Sequence, residues 1–123
     1  MVNYEVTGMS VKDLYRRLKN GQIILESRYL TKATTSNEKL LLHGVLSGVP
    51  FPTIVLLRES KGYSVVLGRE LLSVLISLLN SSVYEGLDDT DKFMFMRHCF
   101  YVNVVTDRDS VDAVKEVFER FGG

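Results

Sequence analysis

The chain has 123 residues, 46% of them hydrophobic, enough for one compact domain with its own core and too few for two ordinary ones. Lys plus Arg and Asp plus Glu balance at 15 each, which excludes a global positive field for nucleic acid, so any such contact must come from a local patch. The single cysteine, Cys99, excludes an internal disulfide; its apolar neighbours Phe95 and Phe100 predict a buried, inert thiol in a reducing, cytoplasmic compartment.

The opening "MVNYEVTGMS" has no basic-then-apolar signal pattern. The longest apolar run, residues 71 to 79, is interrupted by Ser73 and Ser77 and is too short to span a bilayer, so no targeting or membrane segment is expected. No repeat, low-complexity tract or linker divides residues 1 to 123, which read as a single domain. "SVKDLYRRLKNG" predicts a helix: Ser10 caps it, Asp13 takes the reciprocal capping position, Val11, Leu14 and Leu18 make an apolar stripe, and Gly21 ends it. Its other face carries Lys12, Arg16, Arg17 and Lys19. "QIIL" predicts a short strand and "ESRYLTKATTS" a polar loop. Ser36 is then expected to cap a helix running to about Ser47, with Leu40, Leu41, Val45 and Leu46 on its apolar face and Gly48 as its stop.

"TIVLLRESKGYSVVL" has two β-branched apolar runs around a polar turn containing Gly62, the pattern of a hairpin. It leads through Gly68 into "RELLSVLISLLN", a helix with leucine almost all round and therefore mostly buried. "EGLDDTDKFMFMRHCF" suits either a helix capped by Asp88 or Asp89 or an aromatic strand, and the helix is the preferred reading. "YVNVVT" predicts a strand. "DSVDAVKEVFERFGG" predicts a last helix, capped by Asp109, with Val111, Val114, Phe118 and Phe121 on one face. The sum is an α+β fold, a small mixed sheet with packed helices.

The turn at Gly68 raises the question of chemistry. Glycine permits a tight strand-to-helix turn, and the helix start that follows offers unpaired backbone N–H groups to an anion, although every such junction shares this geometry. Arg69 on the first turn can join those groups or simply be solvated. Glu70 can orient a water or a metal, or merely stabilise the positive helix end. His43 and His98 have no partners at metal-ligand spacing, and "EGLDDTD" lacks the twelve-residue calcium-loop pattern, so no metal site is expected. The serines near Gly68 have no histidine in sequence reach and no nucleophile-elbow pattern occurs.

The order "LSGVPFPTIVLL", "GYSVVLGRELLSVL", "YVNVVTDRDSVDAVKEVFERFGG" resembles the N-terminal domain of GmrSD-type, modification-dependent restriction proteins, a branch of the ParB/sulfiredoxin-like superfold. Gly48, Pro50 and Pro52 match that family's g-x-P-x-P phrase; Gly68, Leu72 and Leu75 match the framework of its D-G-Q-Q-R-L motif; and Phe118, Glu119, Arg120, Gly122 and Gly123 echo its F-E-R-x-N-x-G-G ending. The likeness spans roughly residues 10 to 123. It implies nucleotide or nucleic-acid phosphate binding, with magnesium beside a nucleotide, at Gly68, Arg69 and Glu70, with Arg28 and Lys32 brought to the same cleft. Arg16 and Arg17 are candidate nucleic-acid contacts.

The departures from the family are equally specific. Leu67, Arg69, Glu70 and Leu71 stand where the motif has Asp, two Gln and Arg, and "SRYLTKA" keeps only Arg28 and Tyr29, in altered order, of a Y-Q-R-x-x-x-W phrase. ParB relatives carry G-E-R-R at this turn, against which Arg69 and Glu70 have their charges exchanged. Hydrolysis by the family route is therefore expected to be weak or absent. Two functions from different classes follow. The first is a standalone ParB-like domain of a viral or mobile-element protein, binding a nucleotide or nucleic acid in defence or counter-defence. The second is a non-catalytic interaction module that has lost the ligand and works as a homo-oligomer or on a protein partner.

Overall fold

The computed structural model describes residues 3–30 and 32–121. The elements run in the order β1 (Tyr4–Ser10), α1 (Val11–Lys19), β2 (Ile23–Ile24), α2 (Thr35–Ser47), β3 (Ile54–Glu59), β4 (Gly62–Leu67), α3 (Arg69–Leu79), α4 (Ser82–Glu85), α5 (Asp89–Arg97), β5 (Cys99–Val105) and α6 (Val111–Phe121). Short 3-10 turns at Ser27–Tyr29 and Arg108–Ser110 precede α2 and α6. The protein is an α+β domain around one mixed five-stranded sheet of order β1-β5-β3-β4-β2. β1 lies antiparallel to β5, β5 parallel to β3, β3 antiparallel to β4, and β4 parallel to β2. No helix among the described residues is long and apolar enough to cross a membrane.

The sheet has two unequal faces because successive strand residues point opposite ways. Ile54, Leu56, Val65, Phe100, Val102 and Val104 face α1 to α5, where Leu14, Leu41, Val45, Leu72, Leu75, Leu78 and Phe95 complete the main core. Val55, Leu57, Val66 and Val105 face the other way and meet α6 through Val111, Val114 and Phe118. A single helix cannot cover a five-stranded sheet, and on that side Tyr4, Val6 and Tyr101 remain exposed.

The hairpin, the helix after Gly68, the helix at Asp88 and the strand "YVNVVT" all stand where expected, the last beginning earlier, at Cys99. Other expectations need correction. Thr34, not Ser36, caps α2, its hydroxyl accepting the Asn37 N–H at 3.1 Å. Leu42 is buried in place of Leu40 and Leu46, which are exposed, because the face turned to the core is the i, i+3, i+4, i+7 stripe of Glu38, Leu41, Leu42 and Val45. Asp107 rather than Asp109 accepts at the last helical segment, taking the Asp109 N–H and opening the 3-10 turn that runs into α6. Phe121 is exposed and does not join Val111, Val114 and Phe118 against the sheet. Cys99 is exposed as well: its buried neighbour Phe100 faces the core, so Cys99 points to the side that α6 leaves open. Strand β1 and helix α4 were not anticipated.

Candidate functional site

Strand β4 ends at Leu67, and Gly68, with φ 105° and ψ 13°, turns the chain into α3. Helices α1, α2 and α5 each begin on a side chain that accepts from their first turn, Ser10, Thr34 and Asp88 respectively. Helix α3 begins on a glycine, which has no side chain with which to cap its first turn. Gly68 itself does not line the adjoining concavity. A Cβ there would lie 3.3 Å from Cγ1 of Ile54, so its role is to let the turn sit tightly on β3.

The concavity beside this turn has a volume of about 520 Å³ and is lined by Arg28, Lys32, Thr34, Asn37, Arg69, Glu70 and Ser73, with Ala33 and Val74. The polar loop before α2, the first turn of α2 and the first turns of α3 thus converge on one surface. Four of the expected site residues, Arg28, Lys32, Arg69 and Glu70, meet there. Arg69 lays its guanidinium back along β4, donating to the Val65 carbonyl at 3.1 Å, which fixes the head without using all its donors. Arg28 pairs with Glu26 at 2.7 Å. Lys32 is exposed and makes no ion pair among the described residues. Arg28, Lys32 and Arg69 stand against two carboxylates, Glu70 in the lining and Glu26 paired with Arg28, so the cleft keeps a small positive local balance that the neutral whole chain hides.

A second concavity, of about 530 Å³, continues from the first, sharing Lys32 and Ser73. Its wall includes Glu38, Ser77 and Asn80. Glu38 is 2% exposed, and its Oε2 accepts from the Ser77 hydroxyl at 2.7 Å, while Ser77 Oγ accepts the Ala33 N–H at 3.0 Å. These residues escaped the sequence reading, in which Ser73 and Ser77 served only as interruptions of an apolar run. A signal was present: Arg69, Ser73 and Ser77 recur every fourth position and make one polar stripe along a largely apolar helix.

Arg16 and Arg17 do not reach this cleft. Both bind Asp13 on α1, Arg17 through Nε at 3.2 Å, and the Arg17 guanidinium lies 5.9 Å from the centre of the Tyr63 ring. Arg16 instead borders a separate depression with Lys12, Lys19 and Cys99. No group of three or more His, Cys, Asp or Glu side chains suited to a metal occurs among the described residues; in the cleft Glu70 alone is placed to meet a phosphate-bound magnesium. His98 packs against Phe100 and Phe51 with ring centroids 5.0 and 6.3 Å apart, and burial lowers its pKa from the ordinary value. It is an aromatic packing residue. No family model, curated protein or solved structure matches the chain.

Proposed function

We propose that the protein is a ParB/sulfiredoxin-like domain, akin to the N-terminal domain of GmrSD-type restriction proteins, that binds a nucleotide or nucleic-acid phosphates in a DNA transaction of defence or counter-defence and hydrolyses little or nothing. The observation that carries this reading is the convergence of Arg28, Lys32 and Arg69 with the uncapped start of α3 around one concavity. Guanidinium forks, an ammonium and helix-start backbone N–H groups are complementary donors for phosphate oxygens. Titrating the protein with ATP, GTP, CTP and a short DNA duplex across a salt series tests the reading. Binding should be modest, should weaken steadily with salt because a few phosphates are neutralised, and should fall on Arg69→Ala. Absence of binding at low salt, or tight binding indifferent to salt, would overturn it.

A second reading is favoured by the opposite side of the sheet. Tyr4, Tyr101 and Phe121 are 59%, 74% and 79% exposed, and Tyr4 lines, with Val6, Val114, Val117 and Phe118, a groove of about 470 Å³ between α6 and β1. Among the described residues the outer edge of β1 is unpaired over seven residues that hold no proline or bulge and one charge, Glu5, which pairs with Arg58. A second copy is the occupant that fits, because an edge strand pairs antiparallel with itself about a two-fold axis, and the two exposed aromatic patches would then face across one continuous sheet. Three aromatics that bury about 150–250 Å² each supply a large part of the roughly 800 Å² per partner of a stable interface. Sedimentation should show a dimer that Tyr101→Asp dissociates; a monomer at high concentration rejects the reading.

A further inference from the structure

We infer that the Glu38 end of the cleft is a nucleoside subsite, in which the buried carboxylate accepts hydrogen bonds from the sugar or base of a nucleotide whose phosphates lie on Arg28, Lys32 and Arg69. This rests on the phosphate-binding reading above and extends it from an anion to a nucleotide.

The argument begins with the chemistry of Glu38. A carboxylate offers about four lone-pair sites, and burying one is unfavourable by several kcal/mol unless donors fill them. Glu38 is 2% exposed, its carboxylate takes one side-chain hydrogen bond among the described residues, from Ser77 Oγ at 2.7 Å, and no fully buried side-chain oxygen there lacks a partner, so its other oxygen keeps access to the cavity. Ser77 has no freedom in this. Its oxygen takes the Ala33 N–H at 3.0 Å, so its one proton is directed to Glu38 Oε2, and the carboxylate is held in place. A tie between α2 and α3 needs only a neutral acceptor such as glutamine. An ionisable acceptor oriented by a second residue and set in the wall of a cavity of about 530 Å³ is instead suited to donors that arrive from the cavity.

Distance and continuity identify the donors. The two concavities share Lys32 and Ser73 and so adjoin at these residues, which sets a ligand on the cations beside the Glu38 end. Arg69 and Ser77 are two helical turns apart on α3, about 12 Å at 1.5 Å per residue, too far for one phosphate and suited to a phosphate joined to a nucleoside. Ribose hydroxyls and base N–H groups share the required chemistry as donors. A metal ion is the poorer occupant, since no second carboxylate accompanies Glu38 in that wall.

The test uses the full chain. Affinities are measured for inorganic tripolyphosphate, for the four ribonucleoside triphosphates and for their deoxy counterparts, with wild type and Glu38→Gln. At least one nucleotide should bind about ten-fold or more tightly than tripolyphosphate, the effect of one hydrogen bond to a charged group. Glu38→Gln should remove that advantage and leave tripolyphosphate affinity within about two-fold. A preference for ribo over deoxy assigns the donor to the sugar, and a preference among bases assigns it to the base. Nucleosides without phosphate, added at millimolar concentration, should shift the amide resonances of Ala33 and Glu38 in the wild type, a readout that stands if Glu38→Gln does not fold. The inference is overturned if every nucleotide binds as tripolyphosphate does and those amides do not move. If tripolyphosphate fails to bind while nucleosides shift the amides, the phosphate reading falls and the Glu38 subsite stands.

Discussion

Gly68 and Arg69 are adjacent, yet the first serves the turn and the second lines the cleft. Gly68 has φ 105°, outside the range that L side chains readily adopt, and a Cβ would press on Ile54 Cγ1 and Cγ2 at 3.3 and 3.4 Å. Gly68→Ala is expected to lower stability by about 1–2 kcal/mol in urea denaturation, the cost of a left-handed backbone for a residue with a Cβ. That position was legible in the sequence because only glycine turns a strand so abruptly into a helix. Arg28, Lys32 and Arg69 were legible as cations, and a resemblance, not the pattern of residues, suggested that they meet. Glu38 was not legible, because a glutamate in the first turns of a helix ordinarily faces water, and its burial depends on how α2 settles against Ser77 of α3. His98 gives a pH-dependent test at the same scale. Burial beside Phe51 and Phe100 places its folded pKa below the ordinary value of 6.5, so the unfolded chain binds the proton more readily. The neutral form's contribution to stability is therefore complete above the unfolded pKa and is lost as pH falls through it toward the folded value. The thermal midpoint should drop on acidification from about pH 7.5 to about pH 5.5, and His98→Gln should flatten that part of the profile. An unchanged slope would show that other groups govern it.

Among the elements, α3 joins core and cleft through two different stripes of one helix. Leu72, Leu75 and Leu78 are fully buried, whereas Arg69, Ser73 and Ser77 line the two concavities. Leucine density alone predicted a helix buried nearly all round, and the serines were absorbed into that picture because serine disrupts a helical pattern so little. Helix α2 illustrates errors of both boundary and face. "TTS" at residues 34 to 36 contains three successive capping residues; Thr34 takes the role, and Leu42 is buried while Leu40 is 73% exposed. Leu75→Ala should therefore cost about 2–5 kcal/mol, whereas Leu40→Ala should stay within about 0.5 kcal/mol, both read from urea midpoints. Equal losses would mean that α2 packs by the face expected from the sequence. Strand β1 escaped notice for a different reason: Tyr4, Glu5, Val6 and Thr7 alternate apolar with polar, but Gly8 breaks so short a run before Met9. What holds it is its seven-residue register with β5, a long-range pairing that no local pattern encodes.

Across the whole molecule, the sheet separates the cationic cleft on the α1 to α5 side from the apolar groove beneath α6. The two proposed activities therefore rest on opposite faces, and Tyr101→Asp should leave nucleotide affinity unchanged even where it alters association. The same layout bears on hydrolysis. Leu67 and Leu71 occupy the places where the resembled motif carries its aspartate and arginine. Leu67 packs with the cluster beneath α6 and Leu71 with the main core, so both have become packing residues and neither lines the cationic concavity. Phosphoryl transfer needs in-line positioning and cationic stabilisation of the phosphoryl oxygens, usually with a metal held by carboxylate. Arg28, Lys32 and Arg69 can hold charge, but Glu70, exposed on the rim, is the sole carboxylate there to position a water or a magnesium ion. Binding tolerates the loss of positioned reactive groups far better than catalysis does, because ground-state contacts do not need the near-attack geometry. Phosphate release from ATP, GTP and CTP with magnesium, with and without DNA, is thus expected to stay below about one turnover per second, the low end for ordinary enzymes. The measurement should be paired with Glu70→Ala. Faster turnover that the substitution abolishes would mean that Glu70 has taken over the missing aspartate's role and that the domain is an active nucleotidase.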